Sequence, residues 1–506
     1  MGRDHVEVEA KYSVAAEAAL PAFDDLAGVA TVDAPVHQDL VADYFDTDDL
    51  RLTRLGITLR RRTGGDDAGW HLKVPIAGAR HEAHEPLTAD AASPRALLDV
   101  LEGVARGRAL SPLVTIRTSR EVVRLRDAGG SVLAEVADDR VRAERWISGD
   151  RATTWREWEI ELVDGEAALL KRVSRRFETA GAMNAPYDSK LSRALGGLGV
   201  AVGGVPGKDA GTHEHARDVV RAHLRDLVAQ LLRWDVLVRR DVEDSVHQMR
   251  VTVRRLRSVL ATFRPMFDRE RTEPLRAELK WLGLLLGDAR DAEVLRDRIR
   301  DLVEGEDPRL LDQGTIASAH QELTHRYLEY HDRLVRELRS SRYAALVDDV
   351  EHLISDPPWA PRHEDHTAGA LRKRVRHDWM RVGAAVARAE EGPDVAARQR
   401  SLHEARKAAK RARYAAEPLV PIYGADAERF VKAVGKVQES LGDLNDALVA
   451  MHQLRQLASS ETARGNDTIT LDLLHNREQA AADESEARFQ KAWRGAQRRK
   501  ILRWLG

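Results

Sequence analysis

Apolar and polar residues alternate in short runs through the first 195 positions: VEVEAKY (6–12), LVADYF (40–45), GITLRRR (56–62), WHLKV (70–74), VVRLR (122–126) and EWEIELV (157–163). Successive strand side chains point to opposite faces, so each run predicts a strand with one apolar face, and the Gly, Asp and Pro between runs predict turns. Segments near 14–28, 94–105 and 166–180 read as helices, so the region 1–195 is expected to be an α+β domain. The glycine-rich stretch GGLGVAVGGVPGKDAG (196–211) reads as a linker. From 212 to 506, Ala, Leu, Arg and Glu recur with helical period, which predicts an all-α domain. PPWAPR (357–362) divides that region into two parts of similar size, about 212–356 and 367–506.

Those two parts repeat. HQMRVTVRRLRSVL (247–260) aligns without gaps on HEARKAAKRARYAA (403–416), and LGDARDAEVL (286–295) on LGDLNDALVA (441–450). The offsets are 156 and 155 residues, so motif order and spacing are both duplicated. On a helix His247, Arg250, Arg254 and Arg257 share one face, as do His403, Arg406, Lys410 and Arg413. Met249, Val253, Leu256 and Leu260 lie opposite, matched by Ala405, Ala409, Ala412 and Ala416. Like charges at these spacings repel by a few tenths of a kcal/mol per pair, a cost that a multivalent anion would offset. Ten residues rise about 15 Å, enough for such a stripe to follow several successive phosphates. A single helix of this kind would more simply be a solvated face paired with carboxylates. Two copies with the same offsets favour the polyanion. His247 and His403 are candidates to add pH-dependent charge. Gly287 and Gly442 are expected to allow close helix packing, and Asp288 and Asp443 to position the cations.

This region resembles the CHAD family, the conserved histidine α-helical domain, through H-x-x-R-x-x-x-R-R-x-R at 247–257, H-x-x-R-K-x-x-K-R-x-R at 403–413 and the two LGD segments. The resemblance implies two pseudo-symmetric four-helix bundles with a basic groove for inorganic polyphosphate. It adds Arg255, Lys407 and Arg411 to the candidate polyphosphate-binding residues.

The N-terminal strands carry a different chemistry. Alternation puts Glu7, Glu9 and Lys11 on one face, against Val6, Val8, Ala10 and Tyr12, and it puts Glu157, Glu159 and Glu161 on one face near the domain's end. Carboxylates clustered this way repel unless cations intervene, and oxygen-only ligands suit Mg²⁺ or Mn²⁺. Between them lie Arg60, Arg62, Lys73, Arg117, Arg120 and Lys190, with Ile57, Leu59, Leu72 and Val74 on alternate positions. A closed sheet with a charged interior and an apolar exterior covered by helices reconciles these patterns. The commoner alternative is a wet polar face with cross-strand ion pairs.

These residues resemble the CYTH, or triphosphate tunnel metalloenzyme, superfamily. Its hallmark E-x-E-x-K is present as Glu7, Glu9 and Lys11, followed by YFDT (44–47), LRRR (59–62), HLK (71–73) and EWEIE (157–161). The resemblance implies an eight-stranded antiparallel β tunnel with flanking helices and metal-dependent hydrolysis of a triphosphate. It assigns catalysis to Glu7, Glu9 and Lys11, and Mg²⁺ or Mn²⁺ to Glu7, Glu9, Glu159 and Glu161 with Asp138. Triphosphate oxygens fall to Lys11, Arg60, Arg62, Lys73, Arg117 and Lys190. Three registers stay open: Glu157/Glu159 in place of Glu159/Glu161, Asp139 in place of Asp138, and Arg120 in place of Arg117.

Composition narrows the partners. Lys+Arg number 80 and Asp+Glu 82, so the net charge of −2 offers no global attraction to nucleic acid, and 5% aromatic content argues against stacked bases. The absence of cysteine excludes disulfides and thiolate metal sites. No apolar run approaches the roughly 20 residues of a membrane span, the first residues lack a signal-peptide core, and no GxxxxGK[ST] loop is present. A cytoplasmic protein is expected, associated with polyphosphate granules. Inorganic triphosphate is the expected substrate, because it needs only charges. Thiamine triphosphate or a nucleotide would need an aromatic platform, for which Trp70, Trp146 and Trp155 are candidates. The alternative function is a non-catalytic polyphosphate-associated adaptor.

Overall fold

The computed structural model describes residues 4–65, 67–76, 79–87, 94–146, 152–187, 189–196, 215–360, 367–463 and 468–506. Apart from Gly196, the expected linker (196–211) lies outside the described residues. The chain divides into two compact units, Met1–Gly207 with Asp235–Arg240, and Lys208–Trp234 with Asp241–Gly506.

The first unit is an antiparallel sheet with helices against it. Its strands are β1 (Asp4–Glu7), β2 (Glu9–Ser13), β3 (Thr31–Val32), β4 (Val36–Asp46), β5 (Thr58–Thr63), β6 (Gly69–Ile76), β7 (Ala79–Glu85), β8 (Ser111–Arg126), β9 (Val132–Arg145), β10 (Thr153–Leu162) and β11 (Met183–Asn184). The helices are α1 (Arg51–Arg54), α2 (Arg95–Ala105), α3 (Ala167–Thr179) and α4 (Lys190–Leu195). The pairing order is β1-β7-β6-β5-β4-β8-β9-β10-β2-β11, with β3 beside β8.

Two expectations are corrected here. Among the described residues the sheet has eleven strands, not eight: β3 and β11 are two-residue additions, and the first strand is divided at Val8 into β1 and β2. The sheet is also open, since among those residues no ladder joins its end strands. The chain itself spans the gap. Glu7 is opposite Arg80 of β7, whereas Glu9 is opposite Glu161 of β10, and the Val8 carbonyl accepts from Leu162 N–H at 3.0 Å. Each backbone edge can pair only once, so this segment serves one end of the sheet before Val8 and the other after it.

The apolar positions of the alternating runs form a core under α3. Tyr12, Val123, Leu125, Val136, Trp158 and Ile160 pack with Leu169, Val173 and Phe177. Segment 14–28 is a series of turns, not the expected helix. Pro21 removes a donor there and disfavours helical geometry at the preceding residue, and Phe23 and Leu26 drop into the core instead.

The second unit is helical: α5 (Ala216–Arg239, which spans the division), α6 (Ser245–Thr262), α7 (Arg269–Glu304), α8 (Gln313–Leu338), α9 (Ser341–Ser355), α10 (Ala368–Glu390), α11 (Val395–Ala416), α12 (Val420–Ala463), α13 (Ile469–Ala496) and α14 (Arg499–Leu502). Side-chain caps mark several starts: Asp312 accepts from Thr315 N–H and Asp394 from Ala397 N–H, each at 2.7 Å. Gly424, at φ 53°, breaks α12 near its beginning. The apolar stripes of α6 and α11 are buried, with Met249, Leu256, Ala405, Ala409, Ala412 and Ala416 all at 0% exposure. The two basic helices touch: Arg254 donates to Tyr414 Oη at 3.1 and 3.2 Å, and Arg255 pairs with Glu417 at 3.2 Å. Among the described residues no helix is long and apolar enough to cross a membrane.

Candidate functional sites

On the face of the sheet opposite α3, strand alternation gathers charge of both signs. Asp139 of β9 and Glu157 and Glu159 of β10 bring carboxylate oxygens within 4.8 Å of one another. Lys190, the first residue of α4, places Nζ 2.8 Å from Asp139 Oδ2, 2.8 Å from Glu157 Oε1 and 2.7 Å from Glu159 Oε1. Ser189 caps that helix by accepting from Ser192 N–H at 3.0 Å, which fixes where Lys190 begins. Arg120 of β8 bridges Asp139 and Glu159, at 2.6 Å to each. Lys11 lies 2.6 Å from Glu9 and 3.6 Å from Glu159. Glu9 also receives Arg80 Nη1 at 2.6 Å.

These contacts set the protonation states. Burial works against the charge of Glu159, but Lys190, Lys11 and Arg120 outweigh it and hold its pKa well below the usual carboxylate range. Burial also opposes ionisation of Glu9, and Lys11 and Arg80 overcome it, again lowering the pKa. Burial likewise disfavours charge on Lys190 and Arg120, yet the surrounding carboxylates raise both above their ordinary values. The trio is oxygen-only, and it already surrounds a cationic nitrogen. That donor set fits a hard divalent cation.

Further along the same face the cations dominate. Arg60 and Lys73 lie 3.9 and 3.2 Å from the buried Glu82, which also meets His71 Nδ1 at 2.8 Å. Arg62 pairs with Asp67, and burial together with Arg60 and Arg120 lowers its pKa to about 9. Tyr44 is buried beside them: burial raises its pKa, but Arg60, Lys190 and Lys73 bring it below the ordinary value.

Several expected residues fall elsewhere. Asp138 points away from the trio and pairs with Arg156, so the β9 carboxylate at the site is Asp139. Arg117 is exposed on the opposite face, and Arg120 takes its place. Glu161 lines a small recess with Glu9, Arg120, Glu135 and Glu159, and Glu157, not Glu161, completes the trio. Glu7 belongs to β1, but its side chain lies outside the described residues. Trp70 is buried, and Trp155 lies under Arg193, so neither offers an open platform; Trp146 is 64% exposed. Sequence reading missed Tyr44, Arg80 and Glu82. Tyr44 stood in YFDT, and its parity with Ala42 was the available signal.

The helical unit gathers cations of one sign. Arg250 pairs with Asp291 at 2.6 Å and Arg406 is 3.8 Å from Asp446, positions equivalent in the repeat. These aspartates, not Asp288 and Asp443, hold the cations: Asp288 is exposed and Asp443 pairs with Arg488 at 3.1 Å. The second Asp of each segment, three residues onward, is the one that meets the basic helix. A side chain at Gly287 would begin 3.6 Å from Arg250 and one at Gly442 3.8 Å from Arg406, so the glycines leave room for the guanidinium groups. Lys410 forms no ion pair among the described residues. Burial, with Arg254, Arg406 and Arg250 nearby, lowers its pKa to about 6. Nε of Arg406 is a buried donor without a hydrogen-bond acceptor among the described residues, and Nε of Arg413 lies 3.5 Å from Glu417.

His247 departs from expectation. Burial and Arg290 lower its pKa to about 4, so it adds no charge near neutrality. His403 is exposed and meets Asn445 Oδ1 at 3.2 Å. Arg257 is half-buried, and burial followed by Arg276 and Arg254 lowers its pKa. Arg411 binds Ala261 O at 3.0 Å and Asp378 at 3.1 Å, tying helices together. Lys407 is exposed and pairs with Glu404.

Family models agree with this division: a CYTH domain matches residues 5–195 and a CHAD domain matches 222–455. The chain is a CYTH–CHAD protein. It is 36% identical over 510 aligned residues to uncharacterized proteins from two strains of Mycobacterium tuberculosis, covering 97% of this chain and 96% of theirs. Solved structures similar to parts of this CYTH–CHAD chain include PptA from Streptomyces chartreusis (24% identity, TM-score 0.45, 55% of this chain and 98% of that one). Another is the CHAD domain from the plant Ricinus communis (26% identity, TM-score 0.40, 58% and 92%).

Proposed function

We propose that the CYTH domain is a metal-dependent triphosphatase acting on inorganic triphosphate or a related small triphosphate, and that the CHAD domain binds inorganic polyphosphate. The observation that carries the first half is the placement of the carboxyl trio Asp139, Glu157 and Glu159 beside the cations Lys11, Arg60, Arg62, Lys73 and Arg120 on one sheet face. A phosphate chain meets guanidinium forks and ammonium groups on β2, β5, β6 and β8, which orient it and neutralise its charge. Asp139, Glu157, Glu159 and Glu9 would hold Mg²⁺ or Mn²⁺, which when bound supplies charge stabilisation and lowers the pKa of water. Lys11, beside Glu9, contacts the substrate; Glu82 keeps Lys73 and Arg60 aimed inward.

The second half rests on Lys410, Arg406, Arg250 and Arg254, where burial and the neighbouring guanidinium groups together depress lysine basicity. A bound polyanion relieves that repulsion and gives the buried Arg406 Nε an acceptor. Polyphosphate is favoured over nucleic acid because the aromatic ring beside these cations, Tyr414, is buried and offers no face for a stacked base.

Phosphate release from inorganic triphosphate, thiamine triphosphate and ATP, with Mg²⁺ or Mn²⁺, tests the enzyme reading. Turnover lost in Glu9→Ala and Glu159→Gln supports it. No turnover on any substrate, with polyphosphate still retained, would turn the reading to the adaptor.

A further inference from the structure

Lys190 is bound to the wrong partners for a phosphate ligand. Its ammonium contacts all three carboxylates of the trio at 2.7–2.8 Å, and those carboxylates are the ones able to share one cation. A divalent ion held by Asp139, Glu157 and Glu159 would supply the charge balance the ammonium now gives, and the two would claim one small volume. Two cations at such separation repel strongly in a buried setting. The carboxylates cannot serve both at full strength.

We propose that Lys190 is a built-in competitor for the divalent cation: its ammonium fills the trio until the ion arrives, and the ion's entry sends it toward the phosphate side of the site. This inference rests on the metal-dependent reading above. Two features supply the path. Lys190 opens α4 at a fixed cap, so its four-carbon stem can swing while the backbone stays. Leu191 and Ala194 of the same helix share a buried cluster with Tyr44, which stands opposite Arg60 in the sheet, so the phosphate-facing cations lie close to where Lys190 starts. Metal loading and phosphate binding are then linked. The ion takes over charge balance at the carboxylates, and the released ammonium joins the groups that bind the substrate's oxygens. Arg120, held by Asp139 and Glu159 through a rigid fork, stays and keeps the trio aligned.

The test is Mn²⁺ binding to the full chain with no phosphate compound present, read from the electron paramagnetic resonance of free Mn²⁺, with Glu159→Gln defining the signal from this site. Lys190→Gln should bind Mn²⁺ at least tenfold more tightly than the wild type, and Lys190→Arg, which keeps the charge, within threefold of it. A second measurement needs no variant. Acylation of Lys190 in the wild-type protein, followed by mass spectrometry, should rise at least threefold on saturation with Mn²⁺. Equal or weaker Mn²⁺ binding by Lys190→Gln, or Lys190 labelling unchanged by Mn²⁺, would overturn the competition while leaving the metal reading intact. Absence of site-specific Mn²⁺ binding in both the wild type and Lys190→Gln would overturn both.

Discussion

Lys190 and Lys410 are both half-buried lysines, and the two units treat them in opposite ways. Three carboxylates surround Lys190 and keep it charged. Lys410 sits among Arg250, Arg254 and Arg406, and its pKa falls to about 6. The sheet balances its lysine with the carboxylates around it, and the helical unit leaves Lys410 without an ion pair among the described residues. A balanced site has ligands for a cation and an anion together, as metal-dependent phosphoanhydride chemistry needs. An unbalanced one has use for an anion alone.

The largest effect that would break this comparison is on the balanced side. Glu159→Gln should lower metal-dependent triphosphate turnover by about 100-fold or more, as loss of a group that stabilises transition-state charge does. Steady-state phosphate release measures it, and retention of polyphosphate should be unchanged. On the unbalanced side, Arg250→Ala with Arg406→Ala should weaken polyphosphate binding by about tenfold or more and flatten its dependence on salt, while triphosphate turnover holds. Titrations at two ionic strengths check this.

A cross-helix cation should behave differently from a groove cation. Arg411→Ala strips the buried Asp378 of its guanidinium partner, so a stability loss of about 3 kcal/mol is expected in denaturant unfolding.

Protons give the next test. A bound polyanion favours charged Lys410, so binding takes up a proton between about pH 6 and the ordinary lysine range. Affinity should therefore fall as pH rises from about 6 to 8, and Lys410→Arg should remove most of that slope. The smallest effect belongs to Lys407→Ala. This exposed lysine pairs with the exposed Glu404, and stability should change by less than about 0.5 kcal/mol.

Much of this was legible in the sequence where periodicity and chemistry coincide. The helical repeat announced both basic stripes, because Met249 or Ala405 on one side and arginines on the other leave one way to bury the helix. Strand alternation likewise put Glu9, Lys11, Arg60 and Arg62 on a common face. Parity failed where adjacent residues are both charged: nothing local separates Asp138 from Asp139, and only the pairing of Arg156 with the former shows which points inward. Strand β7, ARHEAHE, has no large apolar residue to mark its face, so Arg80 and Glu82 stayed hidden. The depressed pKa of His247 was equally invisible, because Arg290 reaches it from α7, a distant part of the chain. The break at Val8 depends on which edges remain to be paired, a property of the whole sheet.

The central claim is that one site needs a metal ion and the other does not. The most direct test treats the full-length protein with EDTA, then follows phosphate release from inorganic triphosphate and retention of labelled polyphosphate in the same sample. Loss of release with retention intact, and recovery of release on adding excess Mn²⁺, is the predicted result. Release that persists after chelation, or retention that falls with it, would contradict the account.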